Sequence, residues 1–177
     1  EINLVKLLSK VSLESENHVS SNLDITAQTR FGYLFEKEFG TIFVENRYTD
    51  WGNYYPHNTL KNLWCISKVM PPRKFLFEVL NNKRNQQNYS TILAPANYTM
   101  DYIFATTMLS NPLIWMEMSN LAEEDKVILS NIIGVYKKYR RDLFCAEVIP
   151  IGDMPDGCSF TGFQIKTEDN HGYLLLF

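Results

Sequence analysis

Residues 41–57 read TIFVENRYTDWGNYYPH. This stretch decides the fold, because it joins a strand to a loop that is rich in functional groups. The first four residues, Thr41–Val44, are apolar or β-branched and have the composition of a short buried strand. The next thirteen, Glu45–His57, hold two carboxylates, one guanidinium, four aromatic rings, two amides and one imidazole. A purely connecting loop has little use for such a run. We therefore expect functional side chains directly after this strand.

The composition of this loop suits a site for sugars. Sugar hydroxyls exchange hydrogen bonds with Asp, Asn and Arg side chains, and the apolar face of a pyranose lies flat on a Trp or Tyr ring. The whole chain is 14% aromatic, which is high for a globular protein. The cluster in the loop indicates that part of this aromatic content serves a ligand surface.

The first 142 residues alternate between strand-like and helix-like hydrophobic patterns. Short apolar runs predict four strands, and longer runs with helical spacing predict helices before, between and after them. This alternation implies parallel βα units with right-handed crossovers. The predicted strands are 19–25, 41–45, 75–79 and 113–118, and the predicted helices are 2–13, 58–70, 97–109 and 122–141.

Polar residues follow three of the four predicted strands, at 24–26, 45–47 and 81–82. In a βα barrel the carboxyl ends of the strands form the mouth of the active site. Four units make only half of an eight-stranded barrel, and half a barrel exposes two strand edges. The sequence therefore predicts an α/β fold, the second half of a (β/α)8 barrel, with the remaining half expected upstream of Glu1.

The pattern changes after residue 142. Glycines and prolines punctuate short apolar runs there, for example Gly172–Phe177, which is typical of antiparallel strands joined by turns. We therefore predict two parts: residues 1–142 form the half barrel, and residues 143–177 form the start of an antiparallel β-sandwich domain.

Composition argues against several other classes of protein. The net charge of −3 gives no reason to expect nucleic acid or an anionic membrane as partner, and no apolar run reaches the 18 residues or more that a membrane span requires. The chain has no Gly-rich phosphate loop and no nucleotide fingerprint, so no cofactor is expected. No metal site is expected either, because the three cysteines and three histidines lack ligand spacing.

Several motifs together resemble one family of enzymes. They are ENRYTDWxNYYPH at 45–57, xLxNLW at 59–64, FxFEVLN at 75–81 and FATTMxxNPLIWMEMSNL at 104–121. This set resembles the later part of bacterial glycoside hydrolases related to α-galactosidases, the melibiase-like clan. The tail, IPIGxxPxGxSFTGFQ at 149–164 followed by GYLLLF, resembles the β domain that follows their barrel.

The resemblance implies a retaining mechanism with two Asp residues, a nucleophile after the fourth barrel strand and an acid/base after the sixth. If 113–118 is the eighth strand, 41–45 is the sixth. The acid/base then falls within 45–50, with Asp50 as first choice and Glu45 as a further catalytic candidate. The nucleophile then lies before residue 1, or is Asp24 if the strand count shifts by one.

The segment Asp24–Arg30 replaces the Cys- and Gly-rich turn that is usual at this place in the family. Because of that difference, the resemblance does not specify which sugar is the substrate.

The remaining candidates are residues for substrate binding, and each has a structural alternative. Arg47 either binds a sugar hydroxyl or forms an ion pair, and Asp50 itself either acts as the acid or caps a turn. The aromatic rings either stack on a sugar or pack beneath the loop. His57 is a lone histidine before a helix, which is more often structural than catalytic. The candidate binding residues are Asn46, Arg47, Trp51, Tyr54, Tyr55, His57 and Arg30.

The sequence thus predicts a retaining glycoside hydrolase that acts on α-galactosides or related glycosides, with an oligosaccharide or glycoside as its partner. The competing interpretation is a non-catalytic carbohydrate-binding or scaffold protein with a degenerate barrel. Turnover of a bound saccharide distinguishes the two interpretations, because the non-catalytic protein binds saccharides without hydrolysing them.

Overall fold

The computed structural model describes residues 6, 7, 10, 11, 14, 15, 23, 24, 41–44, 55–83, 90–114, 116–169 and 171–177. Four of its strands form one parallel sheet in the order β1-β2-β3-β4. They are β1 (Leu23–Asp24), β2 (Ile42–Val44), β3 (Phe75–Val79) and β4 (Asn111–Ile114). All four coincide with strands that the sequence predicts, within a few residues at their ends.

Neighbours in this sheet are also consecutive in the chain. Asp24 is in register with Phe43, Val44 with Phe77 and Val79 with Ile114. A doubly wound sheet reverses its strand order at a switch point, and these strands show no reversal. The prediction of parallel βα units is therefore confirmed for this part of the chain. The described strands form an open sheet, without closure into a barrel among themselves.

Three helices accompany the sheet, α1 (Pro56–Ile66), α2 (Met100–Ala105) and α3 (Glu123–Cys145). The backbone is also helical at residues 6, 7, 10, 11 and 14, in and just beyond the predicted helix 2–13. Single turns of 3-10 helix precede β3, α2 and α3, at Pro72–Lys74, Pro95–Asn97 and Met118–Asn120.

Helix α1 is offset from its predicted bounds of 58–70. It begins at Pro56, because proline fits the first helical position, where its missing N–H is not needed. It ends at Ile66, where the Ser67 hydroxyl donates a 2.9 Å hydrogen bond to the carbonyl of Trp64. Local hydroxyl bonding thus ends the helix four residues before its predicted end, ahead of Pro71.

Helix α2 is shorter than the predicted 97–109 for the same physical reason. The hydroxyls of Thr106, Thr107 and Ser110 each donate to the carbonyl three residues earlier, which favours turns over helix. The chain then enters β4 at Asn111, so β4 includes Pro112 and ends before the predicted 118. A proline is tolerated there because β4 lies at the edge of the described sheet.

Helix α3 continues to Cys145, beyond the predicted end at Arg141. The extra turn buries Leu143 against the core. Its first turn holds Glu123, Glu124 and Asp125, which suits the positive end of the helix dipole. Its last turn holds no basic residue, because the basic run 137–141 lies before it.

The main core lies between the helices and one face of the parallel sheet. Phe75, Phe77 and Val79 alternate along β3 and are each at most 1% exposed. Leu60, Leu63 and Trp64 of α1 pack into the same cluster and form the buried face of that helix. The other members include Ile103 and Phe104 of α2 and Leu129 and Tyr136 of α3.

The last third of the chain adds an antiparallel sheet of β5 (Glu147–Gly152), β6 (Thr161–Lys166) and β7 (Gly172–Leu176). This single sheet agrees with the predicted antiparallel strands, and the described strands include no second layer of a sandwich. Val148, Phe163 and Ile165 belong to the same core cluster as the helices. No helix in the described ranges is long and apolar enough to cross a membrane.

Two hydrogen bonds join the antiparallel sheet to helices α1 and α3. The indole Nε1 of Trp64 donates to the carbonyl of Ile151 at 3.4 Å, and the Tyr173 hydroxyl donates to the Asp142 carboxylate at 2.6 Å. The Asp142 carboxylate raises the pKa of Tyr173 to about 12. The antiparallel sheet is therefore part of the same folded unit as the helices.

We expect Phe163→Ala to lower the free energy of unfolding by about 3–5 kcal/mol, because it empties a fully buried position in the shared core. Urea denaturation measures the effect. Phe160→Ala is the matched control, since Phe160 is 65% exposed, and it should change stability by at most about 0.5 kcal/mol. Equal stability of the two variants would contradict the shared core.

Candidate functional site

The carboxyl ends of the parallel strands meet at one edge of the sheet. Val79 of β3 and Ile114 of β4 are paired at this edge, and Asp24 and Val44 end β1 and β2 on the same side. The segment that begins with Glu45 follows Val44 directly in the sequence. Parallel pairing therefore starts the predicted catalytic loop at the edge where α/β proteins bind ligands.

A cleft of about 270 Å³ opens beyond the ends of β3 and β4. We call it the carboxyl-end cleft, and its lining residues are Asn81, Lys83, Glu117 and Asn120. Two amides, an ammonium and a carboxylate offer both hydrogen-bond donors and acceptors. Such a surface can bind a polyhydroxylated ligand.

The chain after β3 is held in place by its own amides. The Asn81 carboxamide oxygen accepts a hydrogen bond from the backbone N–H of Lys83 at 2.9 Å, which fixes a tight turn. Asn82 is 2% exposed, and its amide donates to the carbonyl of Tyr98 at 2.7 Å. These hydrogen bonds within the chain therefore set the position of the cleft wall.

An ion pair joins this wall to the first turn of α3. Lys83 Nζ lies 2.5 Å from Oδ2 of Asp125, which is a buried residue, and 3.8 Å from Oε1 of the exposed Glu124. The hydrogen bond to Asp125 raises the pKa of Lys83 above its ordinary value, and the charges of both carboxylates add to the shift. The lysine is therefore a fixed cation at the rim of the cleft.

Glu78 lies on β3 beneath the same edge. It is 1% exposed and alternates with Phe77 and Val79, so it lies on the face of the sheet opposite the helices. This carboxylate is therefore in the interior of the molecule rather than in contact with solvent.

Most of the predicted site residues lie outside the described part of the chain. This holds for Asp50, Glu45, Asn46, Arg47, Trp51, Tyr54 and Arg30. Asp24 is described for its backbone only, as the last residue of β1. Tyr55 and His57 are the candidates whose side chains are described.

Tyr55 and His57 lie at the start of α1, and their ring centroids are 5.7 Å apart. Burial lowers the pKa of His57, Asp156 opposes this shift and Lys61 adds to it. His57 contacts the connection between β5 and β6: a Cβ added to Gly157 would lie 3.2 Å from its Nδ1. It does not line the carboxyl-end cleft.

The residues that sequence analysis missed are Lys83, Asn120 and Asp125. The signal that was available is the Asn81-Asn82 pair directly after a predicted strand. Nothing in the sequence links Lys83 to Asp125, because 42 residues separate them. In the described ranges, no group of three His, Cys, Asp or Glu side chains is placed to hold a metal ion.

The fold is similar to part of a solved enzyme. The crystal structure of the GH36 α-galactosidase AgaA from Geobacillus stearothermophilus, in complex with raffinose, matches with a TM-score of 0.71 at 16% sequence identity. The match covers 95% of this chain and 21% of that one. The chain thus spans about a fifth of the length of this structural neighbour.

No protein-family model matches the chain, and no curated protein matches it. The structural likeness therefore establishes a glycoside-hydrolase-like fold, in which an α/β segment is followed by a β domain. It agrees with the resemblance seen in the sequence motifs at the level of the fold.

We expect the Lys83 side chain to titrate above the ordinary lysine pKa, and Asp125→Asn to bring its midpoint back toward that value. The bonded carboxylate favours the charged ammonium, so this interaction is complete below the ordinary lysine pKa. It is lost as the pH rises through the raised value. NMR of the lysine Cε resonances measures the midpoint.

Glu124→Gln is the matched control for this titration. It should shift the midpoint less, because its carboxylate is 3.8 Å away and 79% exposed. A midpoint that Asp125→Asn leaves unchanged would contradict the ion pair.

Proposed function

We propose that this chain forms part of a retaining glycoside hydrolase that acts on α-galactosides or related glycosides. The observation that carries the proposal is the fold likeness over 95% of the chain to part of an α-galactosidase. The parallel strand order supports it, because it starts the carboxylate- and aromatic-rich segment 45–57 at the carboxyl edge of the sheet.

The reaction needs two carboxyl groups about 5–5.5 Å apart. One carboxylate attacks the anomeric carbon and forms a glycosyl-enzyme ester, while a protonated carboxyl group donates its proton to the leaving oxygen. The second group, now ionised, then takes a proton from the water that hydrolyses the ester. The products are the protonated leaving group, a free sugar with retained configuration and the regenerated enzyme.

We assign the acid/base role to Asp50, with Glu45 as the second choice. Trp51 follows Asp50 directly, and an apolar ring beside a carboxyl group raises its pKa and keeps it protonated. Glu45 adds a negative charge nearby in sequence, which acts in the same direction. The nucleophile is Asp24, at the carboxyl end of β1, or an aspartate on a strand outside this chain.

The substrate is bound by the remaining polar and aromatic residues of the mouth. Asn46, Arg47 and Arg30 supply hydrogen bonds to sugar hydroxyls, and Trp51, Tyr54 and Tyr55 supply faces for the ring. The carboxyl-end cleft extends this surface with the amides of Asn81 and Asn120. Lys83 and Glu117 then discriminate between substrates through the hydroxyls that reach the rim.

The test is an assay of the full natural-length protein on two galactosides with different leaving groups, one 4-nitrophenyl and one a sugar. Asp50→Asn should lower kcat on the sugar-linked substrate by about 10²–10⁴-fold, because general acid catalysis is lost. The variant should slow the first step with the 4-nitrophenyl substrate much less, because 4-nitrophenolate leaves without protonation. Azide should partly restore turnover by replacing the activated water.

Asp24→Asn separates the two roles. If Asp24 is the nucleophile, this variant loses activity on both substrates whatever the leaving group. Asp169→Asn, which changes an exposed carboxylate between β6 and β7, is the control and should keep full activity. Saccharide binding by the wild type without turnover of either substrate would overturn the proposal in favour of a non-catalytic binding protein.

A further inference from the structure

A second cleft, of about 310 Å³, lies where the antiparallel sheet meets the helices. We call it the junction cleft. Its walls come from the first turn of α1, the segment just before α2 and the connection between β5 and β6. It shares no lining residue with the carboxyl-end cleft. Its volume is at the lower end of the range of about 300–1,000 Å³ for ligand pockets, which suits a small ligand.

The junction cleft contains a buried hydroxyl without a hydrogen-bond partner. Thr161 lines the cleft, is 3% exposed, and its Oγ1 has no partner among the described atoms. Its backbone is fixed to β7's end, since Phe177 N donates to Thr161 O at 2.9 Å and Thr161 N donates to Phe177 O at 3.3 Å. A buried unsatisfied hydroxyl costs about 1–3 kcal/mol. An unbonded hydroxyl also rotates between staggered positions without losing a hydrogen bond.

A second unpartnered polar atom lies in the same wall. Nδ1 of His57 is buried and has no hydrogen-bond partner in the described structure. Gly157, at φ +89°, lies against this ring without a side chain. The wall of the cleft therefore contains two buried polar atoms without a partner among the described atoms, and neither atom is exposed in this conformation.

The lining of the junction cleft carries no Asp, Glu, Lys or Arg. Burial lowers the pKa of His57, and burial raises the pKa of Tyr98 and brings that of Tyr102 to about 12, so these three groups are neutral near pH 7. The nearby Asp156 carboxylate accepts hydrogen bonds from the backbone N–H groups of Cys158 and Ser159 at 2.8 and 2.7 Å, and builds the loop. The cleft thus favours an uncharged ligand.

Aromatic rings supply its apolar surface. Tyr98 and Tyr102 stack with their centroids 4.8 Å apart, and Tyr102 contacts Phe177 edge-on at 5.6 Å. Phe160 also lines the cleft but is 65% exposed, so it leaves a large part of an aromatic ring open to solvent at the rim. The cleft therefore combines an exposed aromatic face with a wall that contains two unpartnered polar atoms.

We propose that the junction cleft binds one neutral sugar ring, as a saccharide site separate from the proposed catalytic mouth. The apolar C–H face of a pyranose covers the Phe160 ring. The hydroxyls at its edge both donate and accept, so they satisfy the Thr161 hydroxyl once rotation of this side chain turns Oγ1 toward the cleft. A planar aromatic ligand would cover the ring but offers fewer hydroxyls for the polar wall.

The experiment titrates the full chain with D-galactose and D-glucose and follows backbone amide shifts by NMR. We expect shifts concentrated at Thr161, Phe177 and the 157–160 connection. Thr161→Val keeps the shape and removes the hydroxyl, so it should weaken binding by about 2–10-fold. Its melting temperature should stay unchanged or rise, because the orphaned hydroxyl is gone. If the hydroxyl were merely structural, Thr161→Val would instead lower the melting temperature.

Phe160→Ala should weaken binding by about tenfold through loss of the stacking face. Phe144→Ala is its matched control, since Phe144 is 42% exposed and lies outside the cleft. The absence of hexose binding in the wild type, or binding of phenol alone, would overturn the proposal. So would unaltered hexose affinity in both Thr161→Val and Phe160→Ala.

Asp50→Asn separates this proposal from the proposed function. Binding at the junction cleft should persist in that variant. Loss of hydrolysis with retained shifts at Thr161 then supports both proposals, whereas a wild type that shows these shifts without turnover contradicts only the hydrolase proposal.

Discussion

Parallel pairing between strands that are consecutive in the chain is the constraint on which the rest of the structure depends. The registers of β1 with β2, β2 with β3 and β3 with β4 all run in one direction. Every strand therefore ends at the same edge, and every connecting segment begins there. This is why Asn81 and Glu117, which are far apart in sequence, line one cleft.

The packing of α1 is the second constraint, because it joins both sheets. Leu60, Leu63 and Trp64 bury one face of this helix in the main core, and the Trp64 indole donates to the carbonyl of Ile151 in β5. Phe163 and Ile165 of β6 pack into the same cluster. The antiparallel sheet is therefore held against α1, and the junction cleft lies beside this contact, around His57 and Thr161.

The sequence predicted the parts of the fold that depend on hydrophobic period. The strands at 41–45 and 75–79 follow from residue type and spacing alone, and the structure confirms them. Helix ends were less predictable, because hydroxyls decided them: Ser67, Thr106 and Thr107 end their helices with local hydrogen bonds. Hydrophobic periodicity does not show where a side-chain hydroxyl competes with the backbone for a helix carbonyl.

One part of the carboxyl-end cleft follows from the sequence, because the polar residues after the predicted strand 75–79 include Asn81, which lines it. Glu117 falls inside the predicted strand 113–118, and it lies beyond the strand because β4 already ends at Ile114. The pairing of Lys83 with Asp125, and the unsatisfied hydroxyl of Thr161, depend on contacts between residues far apart in the chain, which periodicity does not report. The assignments of Asp50 and Asp24 remain proposals, because they depend on side chains outside the described part of the chain.

The most direct test of the central claim, that the carboxyl edge of the parallel sheet is a glycoside site, is a crystal structure. The full natural-length protein with Asp50→Asn would be crystallised with a galactose-containing oligosaccharide. We predict a galactosyl ring at this edge, in contact with the segment that follows Val44, with Asn81 or Glu117 within hydrogen-bond distance of the saccharide. The account would be contradicted if this edge stayed empty at saturating saccharide, or if the saccharide bound at the opposite edge near Pro72–Lys74.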